Sequence, residues 1–163
     1  MKEKLNNLQK KINVKFKNIG YLKQSITHKS YDSFNNYEKL EFLGDRILGF
    51  VISKKLIELY PNEKEGVLDK KLASLVNKNK CSEVAKIIEL EKYILIGNKN
   101  SKNKIESKII ADSVEALIAA IYYDKGFATS EKFILTMWKS FINLSDITII
   151  DSKTKLQEYS LKK

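Results

Sequence analysis

Glu38, Glu41 and Asp45 fall at i, i+3 and i+7 of the segment NYEKLEFLGDRILGFVISKKL (36–56), which has helical apolar spacing and no proline. On a helix of about 3.6 residues per turn these positions lie within about 60° of one another, so three carboxylates share one stripe. Leu40, Leu43, Ile47 and Val51 fall on the opposite side and make an ordinary core stripe. Like charges this close disfavour a helix. A solvated acidic face would be expected to carry lysines at i+4, but Glu38 meets Phe42 and Glu41 meets Asp45. Two readings stay open: a solvated stripe, or carboxylates gathered to hold a positive group. Phe42 flanks the acids, away from the core stripe, so its ring packs either on a neighbouring helix or on a partner chain.

A second carboxylate pair lies in KIIADSVEALIAAIYYDKGF (108–127). From Ile109 to Tyr123 this segment is apolar nearly all round, with Asp112, Ser113 and Glu115 as the exceptions, which marks a central helix. Asp112 and Glu115 share a face, and Ala116, Ala119 and Ala120 beside them permit close approach of another element. Ionised carboxylates in such a helix are costly unless paired or bound to metal, and the nearest following base is Lys125. The pair serves either interhelical salt bridges or a metal. If the two helices face each other, Glu41, Asp45, Asp112 and Glu115 form an all-oxygen site suited to Mg²⁺ or Mn²⁺ and not to Zn²⁺.

Other chemistries fit poorly. The single histidine, His28, has neither a ligand-spaced companion nor an acidic neighbour, so it reads as a hydrogen-bonded structural residue. No Ser/His/Asp or Cys/His triad can be assembled around it. The single cysteine, Cys81, cannot form an internal disulfide and reads as a buried small apolar residue, which suits a reducing, cytoplasmic setting. The loop GNKNSKNK (97–104) does not fit a phosphate-binding glycine loop. No apolar run approaches the roughly 20 residues of a spanning helix, and no membrane partner is expected.

The elements that must position these acids are helices. With one proline and six glycines in 163 residues, long helices are expected near 3–12, 20–28, 36–60, 67–79, 81–90, 105–125 and 130–142, giving an all-α fold of about seven helices. Strand evidence is confined to DITII (146–150), placed in a linker. The net charge of +10 is uneven: residues 1–30 hold eight lysines and one acid, and residues 98–108 and 151–163 hold four lysines each. A polyanion touching these segments would release counterions and bind in a salt-dependent way. An acidic metal site within basic surroundings is an arrangement for phosphodiester cleavage.

These residues carry a family resemblance. NYEKLEFLGDRILG resembles the signature motif of bacterial ribonuclease III, and ADSVEALIAAIYYDKGF resembles that family's second motif. SITHKSY (25–31) is similar to its L-T-H-x-S-Y, and PNEKEGVLDKKLASLVN (61–77) to the segment with a further glutamate before glycine, here Glu65-Gly66. The four motifs keep their order across about residues 8–142. The resemblance implies a ribonuclease III-like nuclease domain over residues 1–145, a linker at 146–150, and at 151–163 the first helix of a double-stranded RNA-binding domain, truncated here. It implies a Mg²⁺-dependent endonuclease (Mn²⁺ as substitute) that acts as a homodimer. Such an enzyme cuts double-stranded RNA to 5′-phosphate and 3′-hydroxyl ends with a short 3′ overhang, in rRNA and mRNA precursor processing.

By position, Glu41, Asp45, Asp112 and Glu115 become the metal set, with Asp45 and Glu115 catalytic. Glu38 and Glu65 become accessory acids, Phe42 a knob for the partner subunit, and Gln157 an RNA contact. Leu161 stands where a second glutamine is common. Arg46, the only arginine, replaces a small residue and either pairs with an acid or touches phosphate. The alternative is a non-cleaving RNA-binding or ribosome-associated module on the same fold, but such modules tend to lose the acids retained here.

Overall fold

In the computed structural model, residues 1–97 and 104–145 are described. The linker at 146–150, the segment 151–163 and Gln157 within it therefore lie outside the described residues.

The element order is α1 (Lys2–Ile12), α2 (Ile19–Ser25), α3 (Glu38–Leu59), α4 (Glu65–Leu75), α5 (Lys78–Ile87), a 3₁₀ turn (Leu90–Lys92), α6 (Ser107–Lys125) and α7 (Phe127–Met137), and residues 139–145 are again helical. The architecture is all-α, as the apolar periodicity implies. α6 is the axis. Every residue from Ala111 to Ile121 is buried, and α2, α3, α5 and α7 all pack on it. An all-round apolar helix has no other stable place. α3 lies longest against α6, burying Leu40, Gly44, Ile47, Leu48, Val51, Ile52 and Leu56.

The α3–α6 approach rests on one glycine. A Cβ built on Gly44 would lie 1.7 Å from the carbonyl oxygen of Glu115 and 2.5 Å from its carbonyl carbon. Only a residue without a side chain lets the two backbones meet there, which sets Glu41 and Asp45, three before and one after, against the face of α6 that holds Asp112 and Glu115.

Helix ends differ from the expected ones for identifiable reasons. α2 stops at Ser25 rather than 28 because the chain turns extended and Thr27 forms a parallel bridge with Leu95. The bridge is sealed by His28 N–H to the Leu95 carbonyl (2.9 Å) and Leu95 N–H to the Ile26 carbonyl (2.8 Å). α4 ends at Leu75 rather than 79 because Asn77 caps the next helix, its Oδ1 accepting from Lys80 N–H at 3.0 Å. α7 begins at once after Gly126, whose φ of 80° suits glycine and turns the chain without a connecting loop.

Two polar ties lock distant segments. The Asp124 carboxylate accepts from the Lys17 and Asn18 backbone N–H groups, both at 2.7 Å, and holds the α1–α2 connection to the C-terminal end of α6. The Trp138 ring is fully buried and its Nε1–H donates to the Leu75 carbonyl at 2.8 Å, satisfying a helix-end acceptor of α4. Among the described residues no buried side-chain nitrogen or oxygen lacks a partner.

Gly44→Ala and Gly49→Ala, both within α3, separate helix propensity from packing. Gly49 has open space around it, so Gly49→Ala is expected to stabilise by about 0.5–1 kcal/mol. Gly44→Ala, which meets backbone, is expected to destabilise by about 1–3 kcal/mol or more. Urea denaturation midpoints of the two variants measure the difference.

Candidate metal centre

Three of the four acids assigned to the metal set converge. A carboxylate oxygen from each of Glu41, Asp112 and Glu115 lies within 4.8 Å of the others. Asp112 and Glu115 come from the buried middle of α6 and are almost inaccessible to solvent, whereas Glu41 is half-buried on the first turn of α3. Asp45, one turn further along α3, stands outside this tight group. Its Oδ2 accepts from Arg46 Nη1–H at 3.1 Å, although its charge still reaches Glu115.

A cation occupies the convergence point. Lys78, the first residue of α5, donates to Asp112 Oδ1 at 2.6 Å, to Glu115 Oε2 at 2.7 Å and to Glu41 Oε1 at 3.3 Å. An ammonium has three donors, and each finds one carboxylate. Asp112 and Glu115 are thus ion-paired between helices, as one of the two sequence readings held. The donor set also suits a hard cation, as the other reading required. A single residue 34 to 37 positions away in sequence supplies the pairing, so bases within α3 or α6 alone do not reveal it.

The energetics at Glu115 are divided. Burial pushes its carboxyl up. The hydrogen bond and charge of Lys78 oppose this, and the charges of Asp45 and Glu41 reinforce it, leaving Glu115 at about 7. Burial therefore outweighs the ion pair. For Lys78, burial works to lower the ammonium, but the hydrogen bonds to Asp112 and Glu115 outweigh it and hold the group above the ordinary lysine range. Cys81 is fully buried, and its S–H points at Glu115 Oε1 at 3.7 Å. Burial and the Glu115 charge push the thiol up, so it stays a thiol and acts as a weak donor to the carboxylate rather than as a purely apolar filler.

The remaining candidates lie outside the cluster. Glu38 is exposed and pairs with Lys29 at 3.1 Å. A cleft beside the acids is lined by two lysines, Lys29 and Lys108, together with Glu38, Glu41, Glu106 and Asp112. His28 is hydrogen-bonded within its loop, its Nδ1 lying 2.8 Å from Ser30 Oγ. Glu65 is exposed on the first turn of α4. Phe42 is 61% exposed; the Arg46 guanidinium lies 3.9 Å from its ring centroid and also donates to the Phe42 carbonyl at 3.0 Å. Arg46 thus takes the pairing role of the two open to it.

Known proteins resemble this chain in sequence and in fold. A family model described as Ribonuclease-III-like matches residues 18–141. Ribonuclease 3 of Pelagibacter ubique is 65% identical over 156 residues, spanning 95% of this chain and 70% of that protein. Ribonuclease 3 of Legionella pneumophila is 39% identical over 163 residues, spanning 98% of this chain and 72% of that protein. The nuclease domain of ribonuclease III from Campylobacter jejuni, a structure described for flexibility in a region involved in dimer formation, superposes with a TM-score of 0.79 at 32% identity. That match covers 82% of this chain and 95% of the other.

The raised Glu115 carboxyl would make cation uptake at this cluster pH-dependent. Between the ordinary carboxylate value of 4.5 and about 7, the metal-free fold keeps a proton that the unfolded chain has released, so its stability falls as pH rises through that window. A divalent ion held by these oxygens would expel the proton. Calorimetric titration near pH 6 in buffers of different ionisation enthalpy is expected to show release of about one proton per ion, fading above pH 8.

Proposed function

Because the chain belongs to the ribonuclease III family, whose members are endoribonucleases, we propose that it cleaves double-stranded RNA with Mg²⁺ held by Glu41, Asp45, Asp112 and Glu115. One observation carries the metal reading: three carboxylates from two helices already surround a single positive group, at 2.6 to 3.3 Å. Oxygen-only donors and this reach fit a hard divalent ion, Mg²⁺ by preference and Mn²⁺ as substitute. When bound, such an ion supplies activation of water and stabilisation of the leaving oxygen.

The chain's own residues do the rest. The rigid α3–α6 crossing holds the carboxylates in place before substrate arrives. Lys29 and Lys108, which line the cleft, attract phosphate oxygens. Glu38 and Glu65 flank the approach to the scissile strand as accessory acids. The products are 5′-phosphate and 3′-hydroxyl ends with a short 3′ overhang, and rRNA and mRNA precursors are the substrates that fit this activity. Gln157 adds an RNA contact. A cytoplasmic setting accords with a lone, free, buried cysteine, and no helix among the described residues is long and apolar enough to cross a membrane.

The active form is a homodimer. Phe42, Phe50 and Ile57 recur along one flank of α3 and each is well exposed, leaving an apolar stripe with Phe42 at the end nearest the acids. Two subunits joined there bring two acidic centres, one for each strand of a duplex.

Two experiments test this reading. Duplex RNA and duplex DNA, incubated with the protein with and without Mg²⁺ and read on a denaturing gel, are expected to show cleavage of RNA with Mg²⁺ alone. Glu115→Gln is expected to keep RNA binding and to lose cleavage by roughly 10²-fold or more; undiminished cleavage rejects the site. Separately, sedimentation at micromolar concentration is expected to show more monomer for Phe42→Ala than for the unmodified chain.

A further inference from the structure

Lys78 is a lysine used as an internal counter-ion, and its placement has a cost for any other cation. Its ammonium sits between Glu41, Asp112 and Glu115, all three of its donors spent on the oxygens proposed to bind metal. Those oxygens lie within 4.8 Å of one another, so a divalent ion drawing on all three meets the ammonium already bonded to them. The lysine is fixed at its root and free along its stem. Its backbone is the first residue of α5, held by the Asn77 cap, while its side chain is 46% exposed and has an open route to solvent.

Resting on the metal reading above, we propose that Lys78 is a tethered competitor of the divalent ion. It neutralises the acidic cluster when metal is absent and swings outward when metal binds. The metal-free protein is thereby spared a buried, uncompensated pair of carboxylates. The divalent ion in turn binds more weakly than the same carboxylates would allow alone, because uptake must break three charge-assisted hydrogen bonds. Lys78 therefore sets the metal concentration at which the centre fills, and it is a positioning residue rather than a catalytic one.

The test measures metal binding rather than cleavage. MgCl₂ is titrated into the unmodified chain and into Lys78→Gln and Lys78→Arg at pH 8, by calorimetry and by thermal denaturation at constant ionic strength. Lys78→Gln is expected to melt several degrees lower without metal and to half-saturate at a Mg²⁺ concentration at least tenfold lower. Lys78→Arg, which keeps the charge, is expected to stay closer to the unmodified chain. A second measurement needs no substitution. Amine labelling of the unmodified chain with a succinimidyl ester, read by peptide mass spectrometry, is expected to show Lys78 becoming several-fold more reactive on adding Mg²⁺, while Lys132, far along α7, does not change. Equal or weaker Mg²⁺ binding by Lys78→Gln, or Lys78 labelling indifferent to Mg²⁺ that does bind, overturns the proposal and leaves the metal reading standing. Failure of both the unmodified chain and Lys78→Gln to bind any divalent ion overturns the metal reading and this proposal together.

Discussion

The contact between Gly44 and the backbone of Glu115 is the constraint from which the rest of the site follows. α6 is apolar on every side and must be enclosed, and α3 supplies the longest wall of that enclosure. A side chain at position 44 would hold the helices apart and carry Glu41 and Asp45 away from Asp112 and Glu115. The candidate metal centre is therefore a by-product of core packing. Its geometry comes from two backbones in van der Waals contact, and the acids need no loop to aim them.

That contact also forces an electrostatic problem and shapes its solution. Carboxylates on the buried side of a helix are expensive, and Glu115 responds in three ways at once: its proton affinity rises, it draws an ammonium from α5, and it takes a weak thiol donor from Cys81. The exposed acids behave differently. Glu38 and Asp45 find Lys29 and Arg46 at the surface, where such pairs contribute little to stability and serve chiefly to set local charge.

The acids themselves were legible because helical spacing of 3 and 4 residues states which side chains share a face. Glu38, Glu41 and Asp45, or Asp112 and Glu115, can be placed on common stripes from numbering alone. Helix number and order followed from the same periodicity. Lys78 was not legible, since it belongs to a lysine-rich run, VNKNKC, in which nothing marks one lysine as turned inward; only the packing of α5 on α6 selects it. The role of Gly44 was hidden for a related reason. Its own surroundings, FLGDR, look like any helix interior, whereas the alanines of α6 marked only the other side of the approach. Helix ends at 25 and 75 were missed where a long-range bridge to Leu95 and a cap at Asn77 overrode local propensity.

The eleven consecutive enclosed residues of α6 have a kinetic meaning. Segments open to solvent in order of how little they bury, and a helix surrounded by four others is the last to exchange its amide protons. Asp112 and Glu115 are written into that slowest-opening unit. Fraying of α1 or of the loop at 31–36 leaves their backbone undisturbed, so the half of the candidate centre that α6 carries keeps its place until α6 itself opens.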